Sequence, residues 1–350
     1  MTDIADILIE LCSIPGPAGF EERIAERCGA MLAPYMDSIW TDVIGNVIGV
    51  RRCGREGAQK LLFDAHIDEI GLIVTGAEEG FLRFAALGGL DERALPASGV
   101  EILSDPPIYG VICVTPPHVL KKEDTEKVTK IEDLFIDAGL SQEAAVIAAP
   151  PGTPAVISNG VRRFGDDYIC GKALDDRAGF AAILRALDLL KDTKLDLDLY
   201  VMASVQEEAG ARGAAPGTFA IEPDYCVVVD VDHAKTPDSK PFETKAELGQ
   251  GAVITRGPNM NAKYTEAIRE IAAAQDIKHQ ISVEPGGNSG TNARVIQISR
   301  NGVATALFGL PLRYMHGAQE VASLGDIENV ARLLSATAIA GSGFLGGNLC

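Results

Sequence analysis

Aromatic side chains are scarce in this chain, 5% of its residues with a single tryptophan. Positive charge is in short supply as well. Lys and Arg number 31 against 49 Asp and Glu, a formal charge of −18. Such a surface repels phosphate backbones and anionic lipid, so neither nucleic acid nor membrane is expected as a partner. Cysteines stand at 12, 28, 53, 113, 170, 226 and 350, with no CxxC pair and an odd total. That pattern excludes a disulfide scaffold and a thiolate zinc site, and it suits the reducing cytoplasm. No apolar run reaches the ~20 residues of a membrane span. The opening stretch MTDIADILIELCSI is acidic and amphipathic, unlike a basic, apolar secretory leader. GxSxG is missing, no cysteine has nucleophile surroundings, and the glycine-rich stretch Gly286–Gly290 lacks GxxxxGK[ST]. Covalent catalysis and a phosphate loop are therefore unsupported.

What is plentiful is small and aliphatic. Hydrophobic residues make up 47% of 350 positions and glycine supplies 37, a composition for tightly packed α/β layers in one large or two ordinary domains. Helical spacing predicts helices at Asp3–Cys12 and Phe20–Met31, and Gly45-Asn46 between β-branched runs predicts a hairpin over Ser38–Arg51. Lys60–Ala65 reads as a buried parallel strand. From residue 71 to 161 short β runs separated by turns, with one expected helix at Lys130–Ala138, read as an inserted β-rich unit. The proline-rich stretch Pro150–Pro154 marks its end. Residues 1–70 and 162–350 are then the α/β host. There the pattern predicts an apolar segment Tyr168–Ala173, a helix Ala178–Leu190, strands Asp198–Val205 and Tyr225–Asp230, a helix Lys263–Gln275, a strand Ala304–Phe308 and a helix Leu324–Ile339. The Ala/Gly-rich tail Leu333–Cys350 reads as a helix end and a loose terminus.

The host is organised around KALDDRAG, Lys172–Gly179. Asp175 and Asp176 stand at a strand-to-helix junction beside Arg177, a pair costly to bury without an ion. Four further candidates, His66, Glu208, Asp230 and His316, follow predicted strands, and binding sites collect at that edge of open α/β sheets. Two histidines and three carboxylates suit Zn²⁺, Co²⁺ or Mn²⁺ better than Ca²⁺. Five ligands exceed one open site but fit two ions that share a carboxylate, with Asp175 as the shared one. Asp68, two past His66 in HIDEIG, is placed to orient its ring. Glu207, beside Glu208 in VQEEAG, must point elsewhere and is placed as a general base. Taken singly, each has a plain alternative: a helix N-cap, a solvated Glu pair, a loop histidine. Their joint placement after five separate segments carries the reading. His233 reads as a rim residue, His118 and His279 as structural, and Arg212 and Arg313 as surface ion-pair formers or substrate contacts.

Together HIDEIGLIV, KALDDRAG, VQEEAGARGA, DVDHAKTP and LRYMHGAQE resemble the co-catalytic metallo-aminopeptidases that build tetrahedral twelve-subunit particles. That family includes glutamyl, leucyl and lysyl aminopeptidases and some members labelled endoglucanase. DVIGNVIG, PPHVLKKED, EDLFIDAGLS and RGPNMNAKY extend the likeness over nearly the whole chain. The resemblance implies an α/β fold, a mixed, mostly parallel sheet with helices on both faces (zinc-peptidase-like), plus a small β domain for assembly. It implies that His66 and Asp230 hold one metal, Glu208 and His316 the other, and that Asp175 bridges them. It gives Glu207 the role of base, sets Asp68 behind His66 and makes the Asp175–Asp176 bond cis. It further implies two divalent ions per subunit, most readily zinc or cobalt and also manganese, acting through an activated water. Short peptides as substrates and a homo-oligomer, a dodecamer, complete the expectation. The chain departs at Asn292, where the family has Gly-Thr-Asp-Ala, at Asp232, where Thr or Ser is common, and at Gly317-Ala318 in place of Ser-Pro. The departures leave room for a deacylase of N-acyl amino acids or an inactive peptide-binding relative, and the carboxylates alone leave a smaller place for a glycoside hydrolase.

Overall fold

The structure, a computed structural model, describes residues 3–116, 118–119, 127–240, 246–286 and 289–345. The KKED stretch at 121–124, Gly287, Asn288 and the expected loose end at 346–350 lie outside the described residues. Helix α1 (Ile4–Ser13) starts where the Asp3 carboxylate accepts the Ala5 amide, and it buries Ile4, Ala5, Leu8, Leu11 and Cys12. Helix α2 (Glu22–Leu32) follows, then strands β1 (Ser38–Thr41) and β2 (Val47–Arg51), paired antiparallel. Their turn forms because Asp42 Oδ1 accepts the amides of Ile44, Gly45 and Asn46, each at 3.0 Å. Strand β3 (Lys60–His66) is buried on both faces, as its run of apolar residues requires.

The next strands, β4 (Gly71–Glu78), β5 (Phe81–Leu87), β6 (Gly99–Ile102), β7 (Ile108–Cys113), β8 (Phe135–Asp137) and β9 (Pro154–Ile157), close into a barrel ordered β4-β5-β8-β7-β6-β9. Its inward residues, among them Leu72, Leu82, Val100, Ile112, Ile136 and Ala155, form a core separate from that of the large sheet. The helix expected at Lys130–Ala138 is not there. Those residues form a short 3-10 turn, Ile131–Asp133, and then β8. Leu134 and Ile136 alternate inward while Phe135 packs on Phe81 at 5.0 Å between ring centroids. Period-two burial against neighbouring strands outweighs local helix preference here. The barrel's helix lies later, at α3 (Gln142–Ala148), where Ser141 caps the Ala144 amide.

The chain then returns through β10 (Arg162–Phe164), β11 (Tyr168–Gly171), α4 (Leu174–Leu190), β12 (Asp198–Ser204), α5 (Ala214–Ile221), β13 (Tyr225–His233), β14 (Ala252–Arg256), α6 (Ala262–Ala274), β15 (His279–Val283), α7 (Ala293–Ile296), β16 (Ala304–Arg313), β17 (Glu320–Ser323) and α8 (Leu324–Leu345). The large sheet runs β1-β2-β12-β3-β13-β16-β17-β11-β10, with β14 and β15 branching from β16. Strands β12, β3, β13 and β16 are parallel neighbours, whereas β1, β2, β10, β11 and β17 flank them antiparallel. The fold is the mixed α/β architecture expected, with the parallel strands at the centre of the sheet. Helices cover both faces. Leu61, Phe63 and Ala65 face one core with α1, α4, α6 and α8, while Leu62 faces a second with α5 and α7. Strand β13 continues past the expected end at Asp230 because β16 pairs with it through His233.

Candidate metal centre

The five expected ligands, with Asp68 and Glu207, arrive at one edge, at or beyond the C-terminal ends of the central parallel strands. His66 ends β3, and Glu207 and Glu208 follow β12. Asp230 lies on β13 beyond the last pair with β3, Val228 with Asp64. His316 follows β16, and Asp175 stands at the start of α4. There the backbone leaves helical geometry at Asp175 (φ −76°, ψ 108°) and Asp176 (φ −116°, ψ 34°), and their peptide bond is cis. One Asp175 oxygen lies 3.1 Å from His66 Nε2 and the other 3.3 Å from His316 Nε2. Glu208 Oε1 is also 3.3 Å from His316 Nε2. Ligand atoms of His66, Asp175 and Asp230 lie within 4.8 Å of one another, and so do those of Asp175, Glu208 and His316.

Four successive amides aim the two glutamates. Asn46 Oδ1 accepts the Val205 amide at 3.0 Å and Glu21 Oε1 the Gln206 amide at 3.1 Å. The Asp68 carboxylate accepts those of Glu207 and Glu208 at 3.0 and 3.1 Å. Asp68 also faces His66 Nδ1, its backbone oxygen at 3.2 Å and its carboxylate at 3.4 Å. Asp68 therefore fixes a ring on one strand exit and a turn on the next. Asn46, Glu21 and Glu320 were not assigned from the sequence, although Asn46 and Glu320 sit inside quoted motifs. Glu320 is fully buried; one oxygen accepts the Leu174 and Asp175 amides at 2.8 and 3.2 Å, the other the His316 amide at 3.1 Å. Behind Asp175, buried Glu69 takes Lys172 at 2.6 Å and Arg177 at 3.2 Å, and Arg177 also donates to the carbonyls of Leu11 and Ile14. Ala173, Gln206, Tyr314 and His316 all hold positive φ (57°, 56°, 62° and 60°), a conformation that persists only where surroundings enforce it. Gly89, from the loop after β5, lies so near the His316 ring that a Cβ would come within 2.9 Å of Nδ1.

The electrostatics call for positive charge. Burial pushes the carboxyls of Asp176 and Asp230 well up, and repulsion from neighbouring acids adds to it. Burial likewise pushes Glu207 up to about 7 and Glu320 up to about 8. Burial acts on Asp175 too, yet hydrogen bonds from His316 and His66 hold it low. Hydrogen bonds to Asp175 and Glu208 push His316 up to about 11. A divalent cation answers such a cluster directly, since neutral imidazole and carboxylate both bind it. The donor set fits: two rings, three carboxylates, one carboxylate facing both rings. Glu207, 9% exposed, has an Oε1 with no hydrogen-bond partner.

The centre opens into a cavity of about 460 Å³ lined also by Gly89, Val231, Asp232, His233, Glu284, Thr291, Arg294 and Met315. His233 is exposed at its rim. Arg212 and Arg313 do not line it; Arg313 donates to the Lys235 carbonyl at 3.0 Å. His118 is exposed in the barrel, and His279 Nδ1 lies 2.9 Å from the Ile277 carbonyl. Among the described residues no helix is long and apolar enough to cross a membrane.

Comparison with known proteins agrees with this fold. A family model described as M42 glutamyl aminopeptidase matches residues 45–333. A lysyl aminopeptidase of Pyrococcus furiosus is 34% identical over 338 residues, 95% of each chain. The TET aminopeptidase of a marine sediment archaeon of the Thaumarchaeota superposes with a TM-score of 0.92 at 29% identity, covering 98% of this chain and 99% of that one. The TET1 peptidase of Pyrococcus horikoshii, which assembles into a tetrahedron or a large octahedral shell, gives 0.85 at 32% identity over 96% and 99%.

Proposed function

The chain belongs to the M42 glutamyl aminopeptidase family, and on that premise we propose that it releases N-terminal residues from short peptides at the centre described above. In this reading His66 and Asp230 would hold one divalent ion and Glu208 and His316 a second, with Asp175 belonging to both sets. Bound there, zinc, cobalt or manganese supplies Lewis acidity toward the scissile carbonyl and toward water. Glu207 takes the proton from the attacking water and returns it to the leaving amine. Its orphaned Oε1, in a side chain aimed into the cavity, supports that role. Asp68 keeps the His66 ring turned with Nε2 toward Asp175 and holds the two glutamates apart through their amides.

The observation that carries the reading is the pair of three-residue sets joined at Asp175. Residues 1–70 and 162–350 form the catalytic unit, and 71–161 the barrel unit through which copies assemble. A homo-oligomer, a tetrahedral dodecamer, is supported by the likeness to TET1 particles, one of them solved as a dodecamer and another able to form a tetrahedron or a large octahedral shell. Enclosure of the centres in such a particle restricts substrates to short or unfolded peptides, and the scattered, odd-numbered cysteines support a reducing, cytoplasmic compartment.

The test is hydrolysis of a panel of aminoacyl chromogenic substrates by metal-stripped protein with Zn²⁺, Co²⁺ or Mn²⁺ restored. Release that returns with metal, at two ions bound per chain, is expected. Glu207→Gln should keep both ions and lose at least about a hundredfold in kcat. Normal turnover by that variant would remove Glu207 from the reaction, and no release with any metal would remove the aminopeptidase reading.

A further inference from the structure

The cavity wall beyond the ligands is acidic on one side. Asp230 and Asp232 share a face of β13, two residues and so about 6.6 Å apart along the strand. Asp230 reaches the ligand set, and Asp232 lines the cavity farther out. Glu284, just past β15, lines the same cavity, its amide anchored on the Arg256 carbonyl at 2.8 Å. Both carboxylates are half-buried. The ion pairs of this cavity join His66 and His316 to Asp68, Asp175 and Glu208; among the described residues Asp232 takes the Ser282 hydroxyl and Glu284 the Gly286 amide at 3.2 Å, and no ion pair reaches either.

We infer that the pocket beside the candidate metal centre takes a cationic N-terminal side chain, that of lysine or arginine, between Asp232 and Glu284. The inference rests on the aminopeptidase reading. Two like charges sharing a partly buried wall oppose each other, and a ligand ammonium or guanidinium relieves both at once. The outer lining offers an apolar side chain little beyond Val231 and Met315. An acidic side chain would meet both carboxylates, with Arg294 and the rim His233 to favour it among the described lining.

The experiment compares kcat/KM for lysyl, arginyl, leucyl and glutamyl substrates with the metal-loaded enzyme, then repeats it with Asp232→Ser and Glu284→Gln. The wild type should favour lysyl and arginyl substrates. Each variant should lower the lysyl-to-leucyl ratio by about tenfold to a hundredfold, mostly through KM, with metal content retained. Glu284→Gln, in a loop, serves if Asp232→Ser fails to fold. Preference for leucyl or glutamyl substrates overturns this assignment and leaves the aminopeptidase reading intact. So does an equal loss on all substrates in both variants, which would place the carboxylates on the peptide's α-ammonium instead. Absence of hydrolysis on every substrate takes down both readings.

Discussion

Asn292 keeps a buried carboxylate from meeting another. Its Nδ2 donates to Asp64 Oδ2 and to Ser204 Oγ, both at 2.9 Å, and all three residues are buried. Asp64 lies two residues before His66 on β3, and burial pushes its carboxyl up to about 6. An aspartate at 292 would face Asp64 with only the Ser204 hydroxyl left to donate to the pair. In this chain the carboxylate of the pair stands at 64 and the amide at 292. Asn292→Asp is expected to lower the free energy of unfolding by about 3 kcal/mol, because a buried charge loses its donor and gains a like neighbour. Adding Asp64→Asn should recover most of that loss, a coupling that urea unfolding of the single and double variants measures. Additive losses would mean that the two side chains do not act as a pair.

At the scale of elements, Asp326 ties the first turn of α8 to the loop before β14. Its two carboxylate oxygens accept the amides of Gly249 and Gly251 at 2.7 and 2.6 Å. Burial nevertheless pushes the carboxyl up to about 6, so the folded state favours the protonated form. The associated stability is fully present below the ordinary carboxylate pKa of about 4 and is lost as pH rises through about 6. Unfolding free energy followed from pH 4 to 7 should therefore fall by on the order of 2 kcal/mol from this group, and Asp326→Asn should flatten that part of the curve. An unchanged slope in the variant would assign the titration elsewhere.

Elements of this kind were unevenly legible. Apolar runs such as Leu61-Leu62-Phe63 betray a strand buried on both faces, and the hairpin at Gly45-Asn46 follows from its turn chemistry. Phe135 and Ile136 belong to a strand only because β5 and β7 lie beside them, a long-range fact that no local window contains. The same limit hid the network around the centre. His66, Asp175, Glu208, Asp230 and His316 announce themselves as ligand types after strands. Glu320, Glu21 and Asn46 act on backbone amides of distant segments, and nothing in residue type distinguishes them from ordinary surface acids and turn residues.

At the scale of the whole molecule, the centre gathers acids from β12, β13, α4 and β17, elements far apart in sequence, into one partly dry volume. Without a cation, Asp176, Glu207, Glu208, Asp230 and Glu320 oppose the closure of the sheet edge that brings them together. A metal that binds only the folded chain returns that energy by mass action, about 2.7 kcal/mol per site at a free concentration near a hundred times Kd. Stripping the ions with a chelator should lower Tm by several degrees, and restoring Zn²⁺ or Co²⁺ should raise it until two ions are bound per chain. His316→Ala, which leaves the set of His66, Asp175 and Asp230 whole, should keep about half of that rise. Asp175→Asn, which touches both sets, should lose most of it. Differential scanning of the three proteins with measured metal content decides the matter. A melting temperature indifferent to chelator and metal would mean that the carboxylates are neutralised by protons, and that the two sets joined at Asp175 hold no ions.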